Sequence, residues 1–136
     1  MLDDLSLHIL DIAQNGIAAG AGRIEITLAE NAAEKTLTLT VGDNGGGAAV
    51  PERLYDPFYT TRTERIVGLG IPFLAQAAEL TGGRVTIRSA PGKGMTVTAL
   101  FHTDQIDMPP EGEISESVTL LAALNPAVEV RYTRQT

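Results

Sequence analysis

The chain has 136 residues with a hydrophobic fraction of 43%, enough for one compact domain with a real core, which excludes a disordered chain. Its formal charge of −7 repels a phosphate backbone at long range, so nucleic acid is not an expected partner, although one bound nucleotide needs only local donors and a metal. The absence of cysteine removes disulfides, thiolate catalysis and cysteine-based metal sites.

The opening Met1-Leu2-Asp3-Asp4 is acidic rather than basic and does not read as a signal peptide. The longest uncharged stretch, residues 66 to 78, is broken by two glycines and a proline and is too short to cross a bilayer. The expectation is a cytoplasmic protein without a membrane segment.

Residues 3 to 19 read as an amphipathic helix, with Leu5, Ile9, Ile12 and Ile17 on one face and Leu2 and Ala13 nearby. Gly20 and Gly22 close it. From Arg23 to Ala29, Ile24, Ile26 and Leu28 alternate with polar residues, as they do in a half-buried strand. Leu37, Leu39 and Val41 repeat the alternation after a turn at 31 to 35, so the two strands form a hairpin. Gly42 to Gly47 is too rich in glycine for strand or helix. A short helix is expected around 48 to 54 and loop at 56 to 63.

Residues 71 to 81 look helical, with Pro72 tolerated in a first turn. Arg84–Ser89 and Met95–Phe101 read as two further strands joined by a turn. Beyond the linker at 107 to 112, Ile114, Val118, Leu121 and Leu124 recur at helical spacing. Asn125-Pro126 stops that helix, and 128 to 132 reads as a last strand. The division expected is 1–103 for the main domain and 104–136 for a linker, helix and strand packing on it.

Chemistry-bearing residues fall into four groups. Asp11 and Asn15 are four apart and share a helix face; their oxygens suit Mg²⁺, and a solvated polar stripe is the alternative. Asp43, ahead of Gly45, Gly46 and Gly47, places a carboxylate where it can accept from an exocyclic amine such as that of adenine, or simply shapes a turn. Gly68-Leu69-Gly70 leads into a helix whose first amides suit an anion, or merely start the helix. Gly92-Lys93-Gly94 precedes the last core strand as a nucleotide wall or a hairpin. Each group is ambiguous alone.

Their order is informative. Asp11 to Ala21 resembles the N box of the superfamily that contains bacterial sensor histidine kinases, gyrase-type topoisomerases, Hsp90-type chaperones and mismatch-repair ATPases. Val41 to Gly47 resembles its first glycine box, Leu54 to Arg62 the F box of histidine kinases, Gly68 to Ile71 running on to Gly83 the second glycine box with its helix, and Gly92 to Val97 the last glycine box. The resemblance covers residues 5 to 102 and leaves the tail outside. It implies an α/β two-layer sandwich (the Bergerat ATP-binding fold), a mixed, mostly antiparallel sheet with helices on one face.

It also implies roles. Asn15 would coordinate Mg²⁺, and Asp43 would bind the adenine amino group with Thr96 supporting it through water. Gly45 and Gly47 would shape the adenine pocket, Gly68 and Gly70 would let a loop close on the phosphates, and Arg62 and Lys93 would contact them. Asp11 stands where hydrolytic members carry a Glu that activates water and histidine kinases usually an Asn. Its two readings are a general base and a partner of the metal's ligands. Ile66 stands where a further glycine is usual, and the short span from Arg62 to Gly68 implies a minimal lid.

His8 reads as structural, because phosphoacceptor histidines of such kinases sit on a separate helical domain. His102 reads as an exposed strand end, and two histidines without cysteine make no zinc site. The expected function is an Mg-ATP-binding kinase module that passes phosphate to a separate protein partner. The alternatives are an ATP hydrolase using Asp11 and a non-catalytic nucleotide-binding regulator.

Overall fold

In the computed structural model, which describes residues 4–45, 70–89 and 94–136, three helices lie on one face of a five-stranded sheet. The helices are α1 (Leu5–Ala18), α2 (Gly70–Leu80) and α3 (Ile114–Leu124); the strands are β1 (Arg23–Asn31), β2 (Thr36–Asp43), β3 (Arg84–Ser89), β4 (Met95–His102) and β5 (Glu129–Gln135). The sheet order is β3-β4-β2-β1-β5. All neighbours are antiparallel except β1 and β5, which run parallel. This is the α/β architecture that the sequence implies.

Alternation along the strands decides which face is covered. Ile24, Ile26 and Leu28 of β1, Leu37, Leu39 and Val41 of β2, and Val97, Ala99 and Phe101 of β4 are buried. They meet Leu5, Ile9, Ile12 and Ala13 of α1 and Ile71, Leu74 and Ala78 of α2 in one apolar cluster. The opposite face carries the polar partners of the same alternation, such as Glu25, Thr40 and Thr98, and has no described helix over it. Aliphatic side chains thus make up most of the core, and Phe101 is its largest fully buried side chain.

The tail completes this core rather than hanging from it. Ile114 and Leu121 of α3 join the apolar cluster, while Leu124, expected on the same face, is exposed. The preceding linker closes the start of α1: the carbonyls of Pro110 and Glu111 accept from the amides of Leu5 and Ser6 at 2.9 and 3.0 Å. Asp4 caps the same helix, its carboxylate accepting from the Leu7 amide at 3.0 Å. Arg134 of β5 donates twice to Glu111. Linker, helix start and last strand are therefore one hydrogen-bonded unit.

Two expectations shift. β2 runs on through Gly42 and Asp43 because both continue the ladder with β1 and β4, so the glycine-rich loop begins later than composition suggests. The short helix expected at 48 to 54 and the loop at 56 to 63 lie outside the described residues.

Candidate functional site

The candidate site lies where the end of β2 meets the second half of α1. Asp43 follows Leu37, Leu39 and Val41 in parity, so its side chain is directed toward the helix layer. There it reaches α1 at Gly16. A Cβ placed on Gly16 would stand 2.8 Å from Asp43 Oδ2 and 2.9 Å from its Cβ, so only a residue without a side chain admits this approach. Asp43 Oδ1 accepts a hydrogen bond from the Gly45 amide at 2.9 Å. Gly45 in turn packs on the last turn of α1, against the carbonyls of Gly16 and Ala19.

Asn15 precedes Gly16 on α1 and is half-buried. Its Nδ2 is buried and has no hydrogen-bond partner among the described residues. A buried amide left unpaired costs about 1–3 kcal/mol, so its position calls for a ligand. A metal–triphosphate group would fit: a carboxamide offers an oxygen to a hard cation and an N–H to a phosphate oxygen, and its two ends are interchangeable by rotation. Among the described residues no three carboxylate or imidazole groups gather into a metal cage.

Asp11, one turn before Asn15, is exposed and lies against the first residue of α2: a Cβ on Gly70 would stand 2.6 Å from Asp11 Oδ2. The structure thus brings Asp11, Asn15, Asp43, Gly45 and Gly70 to one end of the α1–α2–β2 layer. Gly47, Arg62, Gly68 and Lys93 lie outside the described residues.

Thr96 lies on the other face of the sheet from the Asp43 side chain. It pairs with Gly42, and the alternation of β4 sets it on the polar face of the sheet, away from the helices. The residue directly across from Asp43 is Met95, which is buried on the helix-facing side. Two successive residues of a strand do not share a face, so the side chains of Met95 and Thr96 leave the sheet on opposite sides. Thr96 instead helps line a cavity of about 150 Å³ on the polar face, with Arg23, Glu25, Gly42, Asp43 and Asn44. That space is below the roughly 300 Å³ of a small-molecule pocket.

Two further residues hold the site together. Gly94, at φ +86°, passes directly over β2: a Cβ there would stand 2.1 Å from the Asp43 carbonyl oxygen. Asn44 pins the chain leaving α1, its Oδ1 accepting from the amides of Gly22 and Arg23 at 2.8 and 2.9 Å. Neither role was read from sequence. The signal for Asn44 was its place after Asp43 in a glycine-rich turn, where an Asn side chain commonly bonds backbone.

His8 is buried in α1 and His102 closes β4 half-exposed, its amide donating to the Thr81 hydroxyl at 3.1 Å. That hydroxyl donates to the Ala78 carbonyl at 2.7 Å, which fastens the end of α2 to the sheet.

Comparison with known proteins bears on the fold and the family. The model of the histidine kinase-, DNA gyrase B- and HSP90-like ATPase family matches residues 2–105. The chain is 29% identical over 112 residues to the sensor histidine kinase ZraS of Escherichia coli (strain K12), which is 81% of this chain and 24% of that protein. It is 41% identical over 76 residues to an uncharacterized sensor-like histidine kinase of Rhizobium meliloti (strain 1021), covering 50% of this chain and 14% of the relative. It is 29% identical over 98 residues to sporulation kinase D of Bacillus subtilis (strain 168), covering 71% and 19%. The chain spans about a quarter or less of the length of these relatives.

Proposed function

From the premise that the chain belongs to the histidine kinase-, DNA gyrase B- and HSP90-like ATPase family, we propose that it is an Mg-ATP-binding kinase module whose phosphate goes to a separate protein. The observation that carries this reading is the meeting of Asp43 with α1 at Gly16, beside Asn15, whose buried Nδ2 has no partner among the described residues. On this reading the Asp43 carboxylate would accept from the adenine amine and the Asn15 amide would meet the metal–phosphate group, the two residues lying on adjoining elements. Mg²⁺ would arrive with the nucleotide, held by Asn15 and phosphate oxygens, and would offset charge on the phosphates.

Phosphoryl transfer asks the protein for positioning more than for a nucleophile of its own. The acceptor would be a side chain of a partner, and the module would work in the cytoplasm, where ATP is present. A second reading, ATP hydrolysis, rests on Asp11, whose carboxylate stands at the first residue of α2 and one turn from Asn15. There it could take a proton from an attacking water.

Calorimetric titration with ATP and Mg²⁺, followed by phosphate-release assays of the unsubstituted chain and Asp11→Asn, separates these readings. Binding without release, with label appearing on an added partner, is the outcome expected. Release abolished by Asp11→Asn with binding kept moves the assignment to hydrolase. Absence of ATP binding ends both.

A further inference from the structure

A row of side chains crosses the helix-facing side of the sheet at the candidate site. Its order is Ser89, Met95, Asp43, Ile24, each residue directly paired with the next. Directly paired residues in antiparallel strands have Cβ atoms about 4.5–5.5 Å apart, so whatever Asp43 touches lies within reach of positions 24 and 95. Ile24 has no polar atom, and Met95 has only a thioether. Asp43 itself, when ionised, accepts but cannot donate, and one of its oxygens is already engaged by Gly45.

Adenine presents two adjacent groups on the edge that a carboxylate reads: an exocyclic amine that donates and a ring nitrogen, N1, that accepts. Asp43 can satisfy only the first. We infer that Met95 is a specificity-determining residue of the base subsite, where the strand neighbours of Asp43 offer N1 no side-chain donor and Met95 gives the ring an apolar, polarisable neighbour in place of a hydroxyl. The inference rests on the ATP-binding reading. A sulfur against an aromatic ring is a favourable contact that makes no demand on ring substituents. The base is then selected by the amine alone, and the hydroxyl of Thr96, on the far side of the sheet, has no part in it.

The experiment is equilibrium binding of ATP and 1-deaza-ATP, in which N1 is replaced by C–H, to the unsubstituted chain and to Met95→Thr, Met95→Gln and Met95→Leu. The unsubstituted chain is expected to bind both nucleotides within about threefold of each other, because neither strand neighbour of Asp43 can donate to N1. Met95→Thr or Met95→Gln adds a donor and is expected to tighten ATP by about threefold or more without tightening 1-deaza-ATP. Met95→Gln, matched in volume, carries the test if the smaller Thr unfolds the core. Met95→Leu, which adds no donor, gives no such gain.

A preference of the unsubstituted chain for ATP over 1-deaza-ATP of about tenfold or more overturns the inference, since another group then reads N1. So does equal tightening of both nucleotides by the donor variants, or tightening by Met95→Leu. These outcomes leave ATP binding intact. Failure of the unsubstituted chain to bind ATP at all instead overturns the underlying reading, and the inference with it.

Discussion

Gly16 and Asp43 stand so close that a single methyl on the first would lie 2.8 Å from the carboxylate of the second. This contact sets helix propensity against the site. Gly in a helix interior is about 1 kcal/mol less favourable than Ala, yet the Ala side chain would push Asp43 off its position. Gly16→Ala is expected to change the melting temperature little, because better propensity offsets crowding, while weakening ATP binding about threefold or more. Parallel thermal melts and calorimetry check it; unchanged affinity would mean that Asp43 does not set the base position.

Asn15→Ala should do the opposite of a typical core truncation. It removes a buried amide nitrogen that has no partner among the described residues and installs the best helix former. A stability gain of about 1 kcal/mol, or roughly 2–5 °C, is expected in the absence of ligand. Mg-dependent ATP binding should fall at least about tenfold in the same variant. Differential scanning calorimetry with and without Mg-ATP reads both effects.

Asp43→Asn keeps an oxygen that can accept from the Gly45 amide but replaces the other oxygen with a donor. The fold should persist, and ATP affinity should drop about tenfold or more, the worth of a hydrogen bond to a charged group. Retention of affinity would remove Asp43 from the base subsite.

Acid should loosen the start of α1 first. The hydrogen bonds from Arg134 hold the Glu111 carboxyl below its ordinary value, and those from the Ser6 hydroxyl and Leu7 amide do the same for Asp4. A carboxyl depressed in the folded state adds stability that is complete at neutral pH and is lost as pH falls through its folded pKa. Arg134→Ala should therefore flatten stability against pH on the acid side of the ordinary glutamate range. Because both partners are about two-fifths exposed, its cost at neutral pH should stay under about 1 kcal/mol. Asp4→Ala should cost about 1 kcal/mol through lost capping. Urea unfolding at a series of pH values tests both.

Much of the architecture was legible because its signal is local. The two-residue alternation of Ile24-Ile26-Leu28 and Leu37-Leu39-Val41 and the helical spacing of Leu5-Ile9-Ile12 state which side of each element is apolar, and the buried residues follow them. The tail helix was legible for the same reason, but the exposure of Leu124 was not, since spacing alone cannot say where the neighbouring layer ends. Asp43 was placed at the site by its position at a strand end. The motif that carried Thr96 fixes order along the chain, whereas the face of the sheet follows from the parity of β4, on which Met95 and Val97 are the buried residues. The packing of Gly16 on Asp43 and of Gly70 on Asp11 joins residues distant in sequence, and no local pattern encodes such pairs.

The parallel pairing of β5 with β1 joins Arg23 to Glu129 and runs on to Gln135, near the last residue of the chain. During synthesis β1 must wait for more than a hundred further residues before its outer edge finds a partner. Until then it presents an edge of unpaired backbone N–H and C=O groups, the kind of surface on which nascent chains stick to one another. Expression of fragments cut before residue 129 should therefore yield aggregates, and a chaperone that shields sheet edges should be needed for longer here than for a domain whose strands pair in order of synthesis.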